Sequence, residues 1–139
     1  MKIREFVESD TEQVVSLWKE CGLTVSWNDP YEDIARKLPD KRNLFLIGEI
    51  DGIVIACVMG GYNGHRGGVN YLAVSPRHRK QGYGKQLMNE VEKLLLKLGC
   101  PKINIEIRST NEKVIEFYKR LGYNIEPIIC MGKRLIKDD

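Results

Sequence analysis

The chain has 139 residues, 42% of them apolar and 29% charged, with a formal charge of +3 at neutral pH. That gives room for one domain spanning 1–139 with a single sizeable core and a soluble balance of side chains. The basic residues are mixed with 19 acidic ones, so bulk charge argues for no nucleic-acid partner, and no apolar run nears the roughly 20 residues of a bilayer span. The start, Met1-Lys2-Ile3-Arg4-Glu5, lacks the apolar core of a signal peptide. Cys21, Cys57, Cys100 and Cys130 lie far apart with no metal-ligand spacing. Free, mostly buried thiols in a reducing cytoplasm are therefore expected, with no metal.

Residues 2–6 alternate and predict a first strand. Residues 11–21 carry Val14, Leu17, Trp18 and Cys21 on one helical stripe, with Gly22 as the stop. Asp29-Pro30 reads as an N-cap followed by a proline at the first helical position, starting a short helix to about residue 37. Strands over 44–50 and 53–60 flank Asp51-Gly52, a hairpin turn signal, and a glycine-rich loop over 61–68 leads to a fourth strand over 69–74. A long helix is expected over 82–98, with Leu87, Val91, Leu94, Leu95 and Leu98 facing the core and Gly99 ending it. Residues 102–107 alternate as a fifth strand, with Ile103, Ile105 and Ile107 on one face and Asn104 and Glu106 on the other. Ser109 to Glu112 has the form of a capping box, so a helix is expected from there to Leu121, and 123–125 and 129–135 read as closing strands. The order β-α-α-β-β-β-α-β-α-β-β predicts an α/β domain on a mixed sheet, its fourth and fifth strands parallel across the long helix.

Chemistry concentrates in Val74-Ser75-Pro76-Arg77-His78-Arg79-Lys80-Gln81-Gly82-Tyr83-Gly84-Lys85. A basic, glycine-punctuated turn opening a helix suits an anion, because unpaired N–H groups and cations favour the same ligand. A phosphorylated cofactor is the natural occupant. A nucleotide P-loop is excluded, since Gly84-Lys85 is followed by Gln86 and Arg79 stands where its first glycine belongs. A dinucleotide fingerprint fails because Leu87 replaces the last glycine.

The turn, with the preceding Val74-x-Pro76-x-x-Arg79, instead resembles that of the GNAT superfamily, the Gcn5-related N-acetyltransferases. A second block, Asn111-x-x-Val114-Ile115-x-Phe117-Tyr118-x-x-x-Gly122-Tyr123, is similar to a segment on that family's last core helix. The segments around Trp27 and Tyr62 resemble a small bacterial YpeA-type branch. The catalytic half is also similar to the ribosomal-protein N-terminal acetyltransferases.

The resemblance implies a fourth strand that ends in a bulge and splays from the fifth, with acetyl-CoA in the gap. Leu72, Ala73 and Val74 would pair with the pantetheine arm, the N–H of Leu72 meeting the acetyl carbonyl and the oxyanion. Arg79 belongs to the turn's signature, and Lys80, Gln81, Gly82, Tyr83, Gly84 and Lys85 would wrap the pyrophosphate; Asn111 would contact the cofactor. Tyr118 would be the general acid that protonates the leaving thiolate. An amine acceptor is roughly 10³-fold from its free base at neutral pH if lysine-like, so a base is needed. Glu106 matches the glutamate base of the ribosomal enzymes, with Glu49 or Tyr71 as open alternatives acting through water. The loop over 23–29 with Trp27, and Tyr62, His65 and Arg66, would flank the acceptor side. The implied activity is transfer from acetyl-CoA to a primary amine, small molecule or protein, in a ternary complex. Two rivals stand beside it: a non-catalytic acyl-CoA sensor, and a nucleic-acid binder using residues 77–85. Pairing into a homodimer is left open.

Overall fold

The computed structural model describes residues 1–138. Four strands, β1 (Lys2–Glu5), β2 (Phe45–Ile50), β3 (Ile53–Tyr62) and β4 (Gly67–Val74), form an antiparallel sheet in the order β1-β2-β3-β4. The helices are α1 (Thr11–Glu20), α2 (Pro30–Lys37), α3 (Tyr83–Lys97) and α4 (Glu112–Arg120). Side chains alternate across the sheet. Phe45 and Ile47 face a core with Trp18, Val14 and Ile34 of α1 and α2, whereas Leu44 and Leu46 join a core with Leu87, Met88 and Val91 of α3. The result is a mixed α/β architecture with helices on both faces.

Local signals explain the elements that form. Asp51 at φ +51 and Gly52 at φ +77 turn the β2–β3 hairpin. The Asp29 carboxylate accepts the Tyr31 N–H at 2.9 Å and Pro30 leads α2. The glycine-rich stretch behaves differently from its expected loop. β3 runs on to Tyr62 and β4 begins at Gly67, leaving a tight connection in which Asn63 Oδ1 accepts the N–H groups of His65 and Arg66, each at 2.8 Å. The reason is close packing: a Cβ on Gly67 would lie 2.9 Å from Cys100 Sγ, and one on Gly60 3.2 Å from Val91.

The C-terminal third departs most from expectation. The fifth strand is reduced to one parallel bridge, Gly67 with Ile103, where Gly67 donates to Lys102 O at 2.9 Å and Asn104 donates to Gly67 O at 3.0 Å. The Ser109–Glu112 capping box is not formed. Asn111 takes the N-cap position of α4 without a side-chain bond, because backbone turns at Asn111 and Glu112 already satisfy those N–H groups. Residues 123–125 and 129–135 form no strands: Ile129 is 89% exposed and Met131 91%, so no layer covers them to reward pairing. Leu98 is exposed too, while Met88, outside the expected apolar stripe, is wholly buried.

Candidate active site

β4 is the open edge of the sheet. Past the bridge at Gly67 its outer side pairs with nothing among the described residues. Against β3 its register slips: Cys57 opposes Ala73 but Met59 opposes Asn70, so Tyr71 and Leu72 together oppose Val58. This is a β-bulge, with Tyr71 at φ +54. A left-handed conformation costs an L-residue ~1–2 kcal/mol, so other contacts must hold it. They do. The Tyr71 ring stacks on Trp18 with centroids 3.8 Å apart, and its hydroxyl donates to Asp33 Oδ2 at 2.5 Å. Leu72, Ala73 and Val74 therefore sit at and after a fixed kink on an unpaired edge.

The following turn leaves its amides free. The Arg79 guanidinium donates from Nε to Val74 O at 3.1 Å and closes it. Lys80 at φ +62 and Gly82 at φ +81 reverse the backbone. No backbone N–H from Arg79 to Lys85 meets an acceptor among the described residues, and the first helical bond runs from Gln86 N to Gly82 O at 3.0 Å. Exposed Lys80, Gln81 and Lys85 flank these donors at the start of a 15-residue helix. Such a nest fits a polyanion. Arg77 does not join it; its guanidinium lies 3.5 Å from Glu20 instead. The two glycines differ. Space beside Gly82 is open, while a Cβ on Gly84 would press on the Phe117 ring at 3.2 Å, with Val74 Cγ2 at 3.8 Å. Gly84 thus lets α4 and the end of β4 close on α3.

A separate cavity of about 640 Å³ is lined by both Tyr118 and Glu106 together with Ile105 and Tyr123, and by no residue of β4 or of 79–85. Tyr118 is the one buried residue of α4, held edge-on between Phe117 at 5.0 Å and Tyr123 at 5.5 Å. Burial pushes its phenol up to about 12, and its hydroxyl has no protein partner among the described residues. It therefore carries a proton it can give. Glu106 is exposed and outside every ion pair among the described residues. The alternatives are committed elsewhere: Glu49 pairs with Arg4 at 3.1 Å, and burial plus the Asp33 bond hold Tyr71 as a protonated phenol. Asn111 is exposed beside α4 with an unengaged side chain. Exposed Cys130 lines the same cavity, whereas Cys57 is buried, bonded by Trp18 Nε1 at 3.1 Å and pushed up to about 12. No three His, Cys, Asp or Glu residues among those described cluster as a metal site.

The loop between α1 and α2 and the tail form a second rim. Trp27 is 53% exposed on the loop between α1 and α2. The tail crosses to that loop: Asp138 bonds Arg36 at 2.7 Å and the Asp29 N–H at 3.1 Å, and Arg134 bonds Asn28 Oδ1 at 2.6 Å and the Trp27 carbonyl. These partners lie 102 to 109 residues apart, and no local pattern announces them. Tyr62 and Arg66 instead bond carbonyls of their own loop, at Gly64 and His65.

Known proteins share this fold. The pattern of the acetyltransferase (GNAT) family matches residues 7–123. Acetyltransferase YE1169 of Yersinia enterocolitica is 47% identical over 138 residues, covering 99% of this chain and 98% of its own. Among solved structures, Ard1 from Thermoplasma volcanium superposes with a TM-score of 0.73 at 23% identity, over 90% of this chain and 83% of that one. The aminoglycoside N-acetyltransferase AAC(6')-Iy, bound to a CoA-based bisubstrate analogue, gives 0.78 at 22% identity, over 96% and 97%.

Proposed function

The chain belongs to the acetyltransferase (GNAT) family, and on that footing we propose that it moves an acetyl group from acetyl-CoA directly to a primary amine. The observation that carries this reading is the free-amide nest at 79–85, which follows directly on the unpaired, bulged edge of β4; a separate cavity whose walls hold both Tyr118 and Glu106 supports it. In the proposed mechanism, backbone N–H groups of Gln81 to Lys85, with Lys80 and Lys85, hold the pyrophosphate. The edge of β4 at Leu72, Ala73 and Val74 takes the pantetheine arm as an added strand, and Asn111 touches the cofactor. The Leu72 N–H stabilises the oxyanion when the amine attacks the thioester carbonyl. Glu106, directly or through water, takes the proton of the cationic amine, and Tyr118 gives its proton to the departing thiolate. The carbon–nitrogen bond forms as the carbon–sulfur bond breaks, with no enzyme-bound acetyl group. The four unpaired cysteines support a cytoplasmic setting for this chemistry.

Mixing the protein and acetyl-CoA with a panel of polyamines, aminoglycosides, lysine peptides and N-terminal peptides tests the reading. Free thiol should appear only with a competent amine, and intact mass should show no acetylated protein in its absence. An acetyl group on Cys130 that chases into product would replace direct transfer with a thiol route. Saturable acetyl-CoA binding with no thiol release for any amine of the panel would leave binding without chemistry.

A further inference from the structure

Tyr71 joins the bulge to both helices that flank the Trp27 loop, α1 and α2. It is a large residue in a backbone conformation that favours glycine, at φ +54, where β4 gains its extra residue. Its ring lies nearly parallel to Trp18 of α1, at an interplanar angle of 10°, and Trp18 is wholly buried. Its hydroxyl reaches Asp33 of α2. Asp33 in turn faces Arg36 at 3.4 Å, and Arg36 holds the tail through Asp138. The segment between α1 and α2, which carries Trp27, is thus fixed at both ends to the residue next to Leu72.

We propose that Tyr71 is a positioning residue: stacked on Trp18 and bonded to Asp33, it holds the β4 bulge so that the Leu72 N–H is aimed at the acetyl carbonyl, and it locks the acceptor rim to that donor. The proposal rests on the reading of Leu72 given above. Physically, the hydroxyl bond opposes relaxation of the left-handed residue toward ordinary strand geometry, which would rotate the neighbouring peptide away from the carbonyl. An error of about 1 Å in such a donor can cost about a hundredfold in rate. The ring alone keeps the packing, so the effect of the hydroxyl can be separated from folding.

The experiment follows the Leu72 amide by NMR while the whole chain is titrated first with coenzyme A and then with acetyl-CoA. The wild type should show a Leu72 shift specific to the acetyl form. Tyr71→Phe should bind coenzyme A with unchanged affinity and melt cooperatively, yet lose most of that shift; with an amine active in the panel, its kcat should fall at least about tenfold. Asp33→Asn, which keeps an oxygen acceptor, should preserve the shift, and Asp33→Leu should remove it. Tyr71→Phe combined with Asp33→Leu should be no worse than either alone, as for two halves of one bond. A Tyr71→Phe variant with the full acetyl-specific shift and full turnover, or losses that add, would overturn the proposal alone. No acetyl-specific shift at Leu72 in the wild type would overturn the reading beneath it, and the proposal with it.

Discussion

On the wall formed by β4 and residues 79–85, the proposed cofactor wall, it is the backbone that stands available: free amides, a kinked edge and two reversed residues. The wall formed by the α1–α2 loop and the tail is held by polar and charged side chains, Arg134 to Asn28 and Asp138 to Arg36, with both arginines exposed. The difference follows from what each wall must do. In the proposed reading the first wall takes a pyrophosphate, a fixed shape that rigid main-chain donors can serve whatever side chains surround them. An acceptor rim set by side-chain pairs can be re-cut by a few substitutions while the first wall stays intact.

The contrast can be broken at the chemistry first. Tyr118→Phe should lower turnover by ~10²–10⁴ while leaving coenzyme A affinity unchanged, as steady-state rates and calorimetry would show. The same variant carries a pH signature. The Tyr118 phenol, pushed up to about 12 against an ordinary 10, favours the fold below pH 10, and that contribution is lost as pH rises from about 10 to 12. Tyr118→Phe should lack this alkaline component in denaturant titrations. Next in size is Glu106→Gln, which should lower the neutral rate and move the pH–rate profile upward as the amine loses its proton unaided; an unchanged profile would assign the base elsewhere.

The two glycines sharpen the comparison within the first wall. Gly84→Val should cost ~1–3 kcal/mol by overpacking, and Phe117→Leu should relieve it. Gly82→Ala should cost about 1 kcal/mol through its left-handed backbone, with no relief from Phe117→Leu. Thermal or urea unfolding of the four variants would separate packing from backbone strain. Smallest is the tail. Arg134→Ala should raise the acceptor KM severalfold and leave coenzyme A binding alone, because it touches only the second rim.

What the amino-acid order reveals follows the same division. The Asp51-Gly52 hairpin, the Asp29 cap, the helical stripes and the 79–85 turn are readable because each depends on neighbours within a few residues. Gly67 suggests a loop by composition, yet it serves a strand, since its purpose lies in Cys100 far along the chain. Residues 123–125 and 129–135 look like strands by β-propensity, but beyond Tyr123 they lie largely uncovered, and propensity without a packing partner does not make a ladder. Tyr71 could be a base by residue type. Its stacking on Trp18 and its bond to Asp33 make it a strut, and only the folded chain brings those three together.

The most direct measurement is a backbone-amide NMR titration with coenzyme A. The largest shifts should fall on residues 79–85 and on Leu72, Ala73 and Val74, with the α1–α2 loop and the tail nearly still. Saturable binding with its largest shifts anywhere else, or no binding at all, would contradict the account.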